Sequence, residues 1–204
     1  MKVTVLSGGL LGTNSYLVSD AERTEAVVVD PVCPYEEVLS LLQPGQRLTA
    51  AVLTHGHFDH IEALASYHGA GVPILMHRAD EEMLSSPQKN GSLRLSEPLS
   101  FPFGADGYLE DGGALPVGKE ALCVMHTPGH TKGSICLWSG GSVLSGDTVF
   151  AFGDYGRCDL YGGDEAQMKL SLDRFFAKEG EYIIYAGHGD CASYISEKTM
   201  RGYL

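Results

Sequence analysis

The sequence lacks the features that mark disulfide-rich, secreted and membrane-spanning proteins. Its five cysteines are odd in number, widely spaced and never arranged as a CxxC pair. This pattern excludes a disulfide framework and predicts small, mostly buried thiols in a reducing cytosol. No apolar run approaches the ~18–20 residues needed to cross a bilayer, and the apolar stretch over residues 1–6 is too short for a signal peptide. We therefore expect a cytoplasmic protein with no membrane partner.

Positive charge is also scarce in this chain. Fourteen Lys and Arg residues stand against 26 Asp and Glu residues, which gives a formal net charge of −12. Nucleic acids and anionic membranes bind basic faces, so both are excluded as expected partners. A small-molecule substrate is the expected partner, and the sequence carries no indication of oligomeric state.

Length and composition are those of an ordinary globular protein. The 204 residues are enough for one sizeable core, and hydrophobic and charged fractions of 44% and 20% are typical. No shift in composition marks a linker. A single domain over residues 1–204 is therefore predicted.

Alternating strand-like and helix-like segments predict an α/β chain. Strands are expected over residues 2–6, 14–18, 26–30, 49–53, 72–76, 122–127, 133–138, 142–145 and 182–185. Helices are expected over residues 36–42, 61–68, 168–176 and 193–200, with a helical turn at 80–84.

Residues 85–111 are rich in Pro and Gly and are expected to form a long loop. A loop of this length in a compact domain often serves as a lid or substrate wall. Phe101, Phe103 and Tyr108 could give it an apolar face. The alternative is that these aromatic side chains simply pack on the body of the protein.

The densest chemistry follows the apolar segment over residues 50–53. His55, His57, Asp59 and His60 fall within six residues, and four buried polar groups without partners would be costly. Imidazoles two residues apart in an extended segment point the same way, so His55 and His57 can bind one ion from one side. Asp59 and His60 come where the chain should turn into a helix, and their side chains diverge from the first pair. The geometry suggests two neighbouring metal ions.

Three more metal-competent side chains each follow a predicted strand. His130, Asp147 and His188 lie in turns flanked by glycine, which is consistent with a backbone that closely approaches another group. With the first cluster they make five histidines and two aspartates. Asp147 could bridge two ions, and a water or hydroxide between the ions fits the two-metal pattern of hydrolases. No glycine-rich lysine motif for a nucleotide is present.

Four segments resemble motifs of the metallo-β-lactamase superfamily. They are Thr-His-x-His-x-Asp-His at 54–60, Thr-Pro-Gly-His-Thr-x-Gly-Ser at 127–134, Gly-Asp-Thr-x-Phe at 146–150 and Gly-His-Gly at 187–189. Gly-Arg-Cys-Asp-Leu at 156–160 and Glu-Lys at 197–198 further resemble the glyoxalase II-like, hydroxyacylglutathione hydrolase branch. The resemblance implies an αββα sandwich, in which two mixed β-sheets pack face to face with helices outside and metals at one edge.

The resemblance also implies roles for the seven candidate ligands. His55, His57 and His130 would hold the first ion. Asp59, His60 and His188 would hold the second ion, with Asp147 bridging the two. Zinc is the first expectation, and iron or manganese suits these ligands as well.

The reaction implied is hydrolysis of a thioester or related ester, the class of the hydroxyacylglutathione hydrolases. A metal-bridging hydroxide would be the nucleophile, because metal ions lower the pKa of bound water to about 7. Asp59 would also orient the nucleophile and so act as a catalytic residue. Arg157 is a candidate clamp for a substrate carboxylate, and the alternative is a structural ion pair with Asp159 or Asp164.

The chain departs from glyoxalase II proper in two places. Because this sequence ends at Leu204, we expect the helical domain whose basic residues bind the glutathione carboxylates to be absent. Asp190, Cys191 and Ala192 follow the last Gly-His-Gly segment, where the family usually has Pro and threonines. Hydrolysis of thiol conjugates remains the expectation, but glutathione itself is not implied.

Other functions on the same fold stay open. A persulfide dioxygenase would use one iron held by His55, His130 and Asp147. A lactonase or β-lactamase is a further option, because one fold hosts many reactions. A non-catalytic binding protein is disfavoured because all seven ligands are intact.

Overall fold

Two six-stranded sheets form the centre of the protein in the computed structural model, which describes residues 1–195. The first sheet has the order β1-β2-β3-β4-β5-β6. Its strands are β1 (Lys2–Ser7), β2 (Asn14–Ser19), β3 (Glu25–Val29), β4 (Arg47–Val52), β5 (Ile74–Met76) and β6 (Gly107–Tyr108). β1, β2 and β3 pair antiparallel, whereas β3 to β6 run parallel to one another.

The second sheet has the order β12-β11-β10-β9-β8-β7. Its strands are β7 (Ala114–Val117), β8 (Glu120–His126), β9 (Ile135–Ser139), β10 (Ser142–Gly146), β11 (Glu181–Ala186) and β12 (Ala192–Ile195). Only β10 and β11 pair in parallel among its strands in the described part of the chain. Both sheets are therefore mixed.

Five α-helices connect or cover the strands in residues 1–195. They are α1 (Tyr35–Leu41), α2 (Leu64–Gly69), α3 (Glu81–Leu84), α4 (Pro87–Asn90) and α5 (Glu165–Phe176). Short 3₁₀ turns lie at Phe58–His60, Arg78–Asp80, Ser92–Arg94 and Ala151–Gly153. None of the helices described is long and apolar enough to cross a membrane.

Three apolar clusters show how these elements are layered. Alternate residues of a strand point to opposite faces, so β3 directs Val27 and Val29 into a core shared with Leu122 and Leu137 of the second sheet. On the outer face of the first sheet, Val28 packs with the helices. Side chains from α1 and α2 and the segment before α2 complete that cluster, namely Val38, Ile61, Leu64 and Tyr67.

The outer face of the second sheet packs against α5. Trp138 and Val143 contact a cluster that includes Phe175 of this helix and Tyr182 of β11. The layers are thus helix, sheet, sheet and helix. The predicted αββα sandwich is confirmed.

Most predicted elements exist with shifted ends, and one prediction is wrong. Residues 192–195 form β12, which pairs antiparallel with β11, where a closing helix was expected over 193–200. Pairing with the free edge of β11 outweighs local helix propensity there. The remainder of that predicted helix lies outside the described residues. β7 was not predicted, and α2 starts at Leu64 and not at residue 61 because residues 61–63 form a bend and a turn.

The long segment over residues 85–111 is more structured than expected, since α4, a 3₁₀ turn and β6 lie within it. Phe101 is buried in the first outer core, and the Phe103 ring stacks on His68 at 3.8 Å between centroids. Tyr108 lies beneath the Arg78 guanidinium at 3.6 Å. These aromatic residues pack on the body, as the alternative expectation held.

The cysteines are free, as predicted, but not all of them are buried. Cys33 and Cys136 are buried, Cys158 is partly exposed, and Cys123 and Cys191 are exposed. The expectation of mostly buried thiols is therefore wrong for the exposed pair. Cys123 lies on the outward side of β8, and Cys191 lies in the turn before β12.

Candidate metal centre

The seven candidate ligands come together where several strands end. The segment after β4 carries the first four, and His130, Asp147 and His188 follow β8, β10 and β11. All but His188 are buried, and His188 is partly exposed. Strand ends of both sheets meet at this edge, so residues 133 positions apart in sequence become neighbours.

The first triad consists of His55, His57 and His130. One nitrogen from each lies within 4.8 Å of the others. His57 Nδ1 and His130 Nε2 are 2.8 Å apart. Imidazole nitrogens turned toward one another at this range suit a single ion.

The second triad consists of Asp59, His60 and His188, and its ligand atoms also lie within 4.8 Å of one another. Asp59 Oδ2 is 3.2 Å from His188 Nε2 and 3.6 Å from His60 Nε2. The carboxylate and imidazoles therefore face a common point beside the first triad.

Asp147 lies between the two triads. Its Oδ1 is 3.4 Å from His60 Nε2 in the second triad, and its Oδ2 is 3.4 Å from His130 Nε2 in the first triad. Its Oδ2 also lies 3.5 Å from His188 Nε2 of the second triad, so the carboxylate contacts both triads. This is the arrangement that a bridging ligand requires.

Several buried polar atoms at this centre have no hydrogen-bond partner among the described residues. They are His55 Nε2, His57 Nε2, His60 Nε2 and Asp147 Oδ1. Buried polar atoms without partners are costly and rare in proteins. The observation fits a centre built to hold metal ions, because His55 Nε2, His60 Nε2 and Asp147 Oδ1 are atoms that a metal would use, whereas His57 faces the first triad with Nδ1.

Two glycines bring the backbone close to these donors. A Cβ at Gly187 would lie 2.1 Å from Asp147 Oδ1 and 2.8 Å from His60 Cε1. A Cβ at Gly156 would lie 2.7 Å from His130 Nδ1. Any side chain at either position would collide with the candidate ligands.

The histidine tautomers are set by hydrogen bonds on the outer nitrogens. His60 Nδ1 donates to Asp30 Oδ2 at 2.9 Å, and His130 Nδ1 donates to the Arg157 carbonyl at 2.7 Å. His55 Nδ1 contacts Thr54 Oγ1 at 3.2 Å. Each bond leaves Nε2 with its lone pair directed at the centre, which is how outer-shell partners orient metal ligands.

Two buried carboxylates that support the centre were missed in the sequence. Asp30 accepts hydrogen bonds from the Thr54 amide and hydroxyl at 2.7 and 2.6 Å besides that from His60. Its backbone has a φ of +51°, a conformation unusual outside glycine. A buried strand that ends in Asp-Pro at residues 30–31 was the available signal.

Asp80 is the second missed carboxylate. It accepts hydrogen bonds from the Gly56 amide, the Thr131 hydroxyl and the Gly133 amide at 3.1, 2.6 and 2.7 Å. It thereby ties the loop of His57 to the loop of His130. In the sequence it read only as part of a helical turn.

Burial keeps the first triad neutral. It lowers the pKa of His57 to about 3, and it also lowers the pKa of His55 and of His130. Neutral imidazole is the form that binds metals.

In the metal-free protein, the histidines of the second triad instead favour the protonated form. Hydrogen bonds to Asp147 and Asp59 raise the pKa of His188 to about 9. Burial would lower the pKa of His60, but Asp147 and Asp30 raise it well above its ordinary value. Burial opposes ionisation of Asp59, yet His188 and His60 bring the pKa of this carboxyl down to about 2. Without metal, protonated His60 and His188 therefore supply the positive charge beside Asp59 and Asp147.

Comparison with known proteins places this chain in a family. The sequence profile of the Metallo-beta-lactamase superfamily matches residues 8–188. The chain belongs to this superfamily.

Curated relatives extend the match. An uncharacterized protein of Mycobacterium leprae is 31% identical over 216 residues, which covers 100% of this chain and 99% of the relative. The probable metallo-hydrolase YqgX of Bacillus subtilis is 30% identical and covers 100% and 98% of the two chains. Hydroxyacylglutathione hydrolase of Fuscovulum blasticum is 33% identical over 85% of this chain and 61% of its own length. This last match supports the glyoxalase II-like branch.

Solved structures share the fold. The BLEG-1 B3 metallo-beta-lactamase has a TM-score of 0.84 and 31% identity, with 94% of each chain covered. TTHA1623, solved in a di-iron-bound form, has a TM-score of 0.78 and 30% identity, with 94% of each chain covered. ETHE1 from Myxococcus xanthus has a TM-score of 0.71 and 26% identity, covering 95% of this chain and 80% of its own.

A cavity of about 380 Å³ opens over the candidate metal centre. His57, Asp59, His130, Asp147 and His188 form part of its lining. Its other walls come from Leu11, Phe58, Asn90, Gly91, Phe150, Gly156, Arg157 and Leu160. Asn90 and Gly91 belong to the segment that was expected to supply a lid or wall.

Arg157 lines this cavity, but its side chain pairs with Asp159. Nε and one terminal nitrogen donate to the two carboxylate oxygens at 2.6 and 2.7 Å. Asp164 instead caps α5 by accepting from the amides of Ala166 and Gln167. The ion pair with Asp159 corresponds to the structural alternative for Arg157, and its carbonyl orients His130.

The remaining histidines lie apart from the centre. His77 caps a 3₁₀ turn by accepting from the Ala79 amide. Its ring stacks on His126 at 3.9 Å between centroids. His68 stacks on Phe103. None of the three belongs to a metal-competent cluster in residues 1–195.

Proposed function

We propose that this chain is a dinuclear metal-dependent hydrolase of thioesters or related esters, of the hydroxyacylglutathione hydrolase-like type. The observation that carries the proposal is the convergence of seven side chains beneath an open cavity, four of which have a buried polar atom without a hydrogen-bond partner. The first triad would hold one ion and the second triad the other, with Asp147 bridging them. Zinc is the proposed metal, with iron or manganese as alternatives.

Two divalent ions at this centre would polarise the scissile carbonyl and make hydroxide available near neutral pH. Asp59 lines the cavity, and Thr13 donates to its Oδ2 at 2.9 Å. Because the pKa of Asp59 is about 2, this carboxylate is ionised at neutral pH and can accept a hydrogen bond from the attacking water. His188, which is partly exposed, also borders the cavity.

Metal analysis is the first test of the proposal. Protein purified without added metal is measured by elemental mass spectrometry and scored as ions per chain. Close to two ions per chain supports the dinuclear centre. A panel that contains S-lactoylglutathione, uncharged thioesters, a lactone and a chromogenic β-lactam then identifies the bond cleaved. Protein loaded with both ions that cleaves none of these thioesters or esters contradicts the proposal.

Two solved structures support other activities on the same fold. The likeness to ETHE1 from Myxococcus xanthus favours a persulfide dioxygenase, for which one iron would be held by His55, His130 and Asp147. The likeness to the BLEG-1 B3 metallo-beta-lactamase favours β-lactam hydrolysis. One iron per chain and oxygen uptake with glutathione persulfide would replace the hydrolase proposal with the first of these.

A further inference from the structure

The cation in the cavity wall is already neutralised. Apart from the candidate metal ligands, Arg157 is the one cationic side chain that lines the cavity among the described residues. Its bidentate bond to Asp159 occupies the guanidinium face that would otherwise bind a carboxylate. Both side chains are exposed, at 64% and 67%, so the pair stands at the cavity mouth. A substrate carboxylate would have to compete with Asp159 for this arginine.

Two lysines near the wall are also engaged. Lys89 precedes the wall residue Asn90, and its Nζ lies 2.5 Å from Glu82 Oε2. Lys89 and Lys132 place their amino groups 5.1 and 5.2 Å from the centroid of the Tyr161 ring. The Tyr161 hydroxyl in turn donates to Glu82. These cations are therefore directed at Tyr161 and Glu82.

Apolar side chains form much of the remaining wall. Leu11, Phe58, Phe150 and Leu160 line the cavity. Leu11 and Leu160 are 62% and 40% exposed. Large apolar side chains exposed around a concave site gain free energy when an apolar group covers them.

The loop that carries Leu11 is held beside the centre. The Leu10 amide donates to Glu62 Oε1 at 2.6 Å, which anchors the loop from the side of the first sheet. Thr13, two residues after Leu11, donates to Asp59. Leu11 therefore has a defined place at the cavity mouth and can contribute to substrate choice.

We infer that the cavity selects substrates whose group beside the scissile bond is uncharged and apolar, and that it disfavours carboxylate-bearing conjugates. This inference rests on the proposed function. In the reaction, the acyl carbon–sulfur or acyl carbon–oxygen bond breaks. The oxygen of water forms the new bond to the acyl carbon, and a proton of that water leaves with the thiol or alcohol.

A binding experiment tests the selectivity without turnover. Hexanoate and adipate have six carbons each and differ by one carboxylate, so their affinities for the zinc-loaded full chain are compared by NMR titration. We expect hexanoate to bind about tenfold more tightly, which is the discrimination that one group in an apolar pocket can supply. Equal or tighter binding of adipate would overturn the inference.

Variants at the ion pair sharpen the test. Asp159→Asn removes the partner of Arg157. It should lower the ratio of hexanoate affinity to adipate affinity at least about threefold, because the freed guanidinium can bind the second carboxylate of adipate. Asp111→Asn is the matched control, because Asp111 pairs with Arg174 at 2.9 Å outside the cavity. A ratio that changes equally in both variants, or in neither, contradicts the inference.

A second pair of variants tests the apolar wall. Leu11→Ser should weaken hexanoate binding about fivefold and adipate binding less. Leu170→Ser is the control, because Leu170 is 68% exposed on α5 and does not line this cavity. Unchanged hexanoate binding in Leu11→Ser would remove Leu11 from the selective surface and overturn that part of the inference.

Turnover separates the inference from the proposed function. The hexanoyl thioester of N-acetylcysteamine and its adipoyl counterpart are compared by kcat/KM on the zinc-loaded chain. If neither of them nor any thioester or ester of the panel above is hydrolysed while hexanoate still binds more tightly, the hydrolase proposal fails and the selectivity stands. If both are hydrolysed and the adipoyl thioester is preferred, the selectivity is wrong and the hydrolase proposal stands.

Discussion

The two candidate metal triads lie side by side and share Asp147, yet their electrostatic environments differ. The first triad consists of three imidazoles whose pKa is lowered by burial. The second triad contains a carboxylate, and neighbouring acids raise the pKa of both its histidines. Without metal, the first triad is ready to bind an ion at neutral pH, whereas the second must first release protons. We therefore expect the first triad to bind its ion before the second triad does.

The largest expected effect comes from Asp147→Ala, because Asp147 faces both triads. We expect both ions to be lost, to roughly one-tenth of an ion per chain or less, together with activity. Elemental analysis after dialysis measures this change. Asp173→Ala, which changes an exposed acid on α5, should keep both ions. Two retained ions in the Asp147 variant would show that this residue does not bridge.

His188→Ala tests whether the triads are separable. This side chain belongs to the second triad, so the variant should keep about one ion per chain. His68→Ala, a change on α2 outside the centre, is the control. Full metal content and full activity in His188→Ala would contradict the dinuclear assignment.

Asp30→Asn and Asp80→Asn should affect the two triads to different degrees, because Asp30 contacts His60 directly and His55 only through Thr54. Asp30 orients His60, so its variant should lower the affinity of the second ion about 10- to 100-fold. Asp80 ties together the loops of the first triad, and its variant should weaken the first ion more. Competition with a chelating dye measures each affinity. If each variant lost affinity for both ions equally, the two triads would form one cooperative unit.

The pH dependence of metal binding should distinguish the triads as well. The pKa of His188 is raised to about 9, so the metal-free protein holds a proton there at pH 7 that an ion must displace. Affinity for the second ion should therefore rise with pH up to about 9, by about tenfold per pH unit for each proton released. The pKa of His57 is about 3, so binding of the first ion should change little from pH 6 to 9. Metal titrations at several pH values measure how the affinity for each ion changes with pH. Equal changes for both ions would contradict the difference in protonation between the two triads.

The same shift affects the stability of the metal-free protein. Because the folded-state pKa of His188 exceeds its ordinary value of 6.5, its stabilising contribution is complete below about pH 6.5. That contribution is lost as pH rises through about 9. Denaturant titrations of metal-free protein at pH 6 and pH 9 should show the lower stability at pH 9. His188→Ala should remove much of that difference.

Arg157→Ala should have the smallest effect. His130 is oriented by the backbone carbonyl of residue 157, which the substitution keeps, so metal content should not change. The lost ion pair is exposed, and the melting temperature should change little. The KM for an uncharged thioester should change by less than about threefold, because such a substrate carries no carboxylate for the guanidinium. Loss of metal or global unfolding would instead show a structural role for this side chain.

Local patterns in the sequence were sufficient for most elements and for the positions of the candidate ligands. Apolar runs followed by glycine-flanked turns located the strands before His130, Asp147 and His188, and the structure brings these side chains together. Their role as ligands stays a prediction. The end of the chain was harder, because residues 192–195 follow the free edge of β11 and not their local helical pattern.

The sequence by itself determined the family, because its motifs resemble those of the superfamily, and through that resemblance it implied the αββα layering and the residue types of the candidate metal centre. Tertiary structure alone decided which residues support that centre. Asp30 and Asp80 act through hydrogen bonds to residues as far as 53 positions away, and no local pattern specifies such pairs. The tertiary structure also decided that the two triads differ in protonation, because burial and neighbouring charge set a pKa only after the chain has folded.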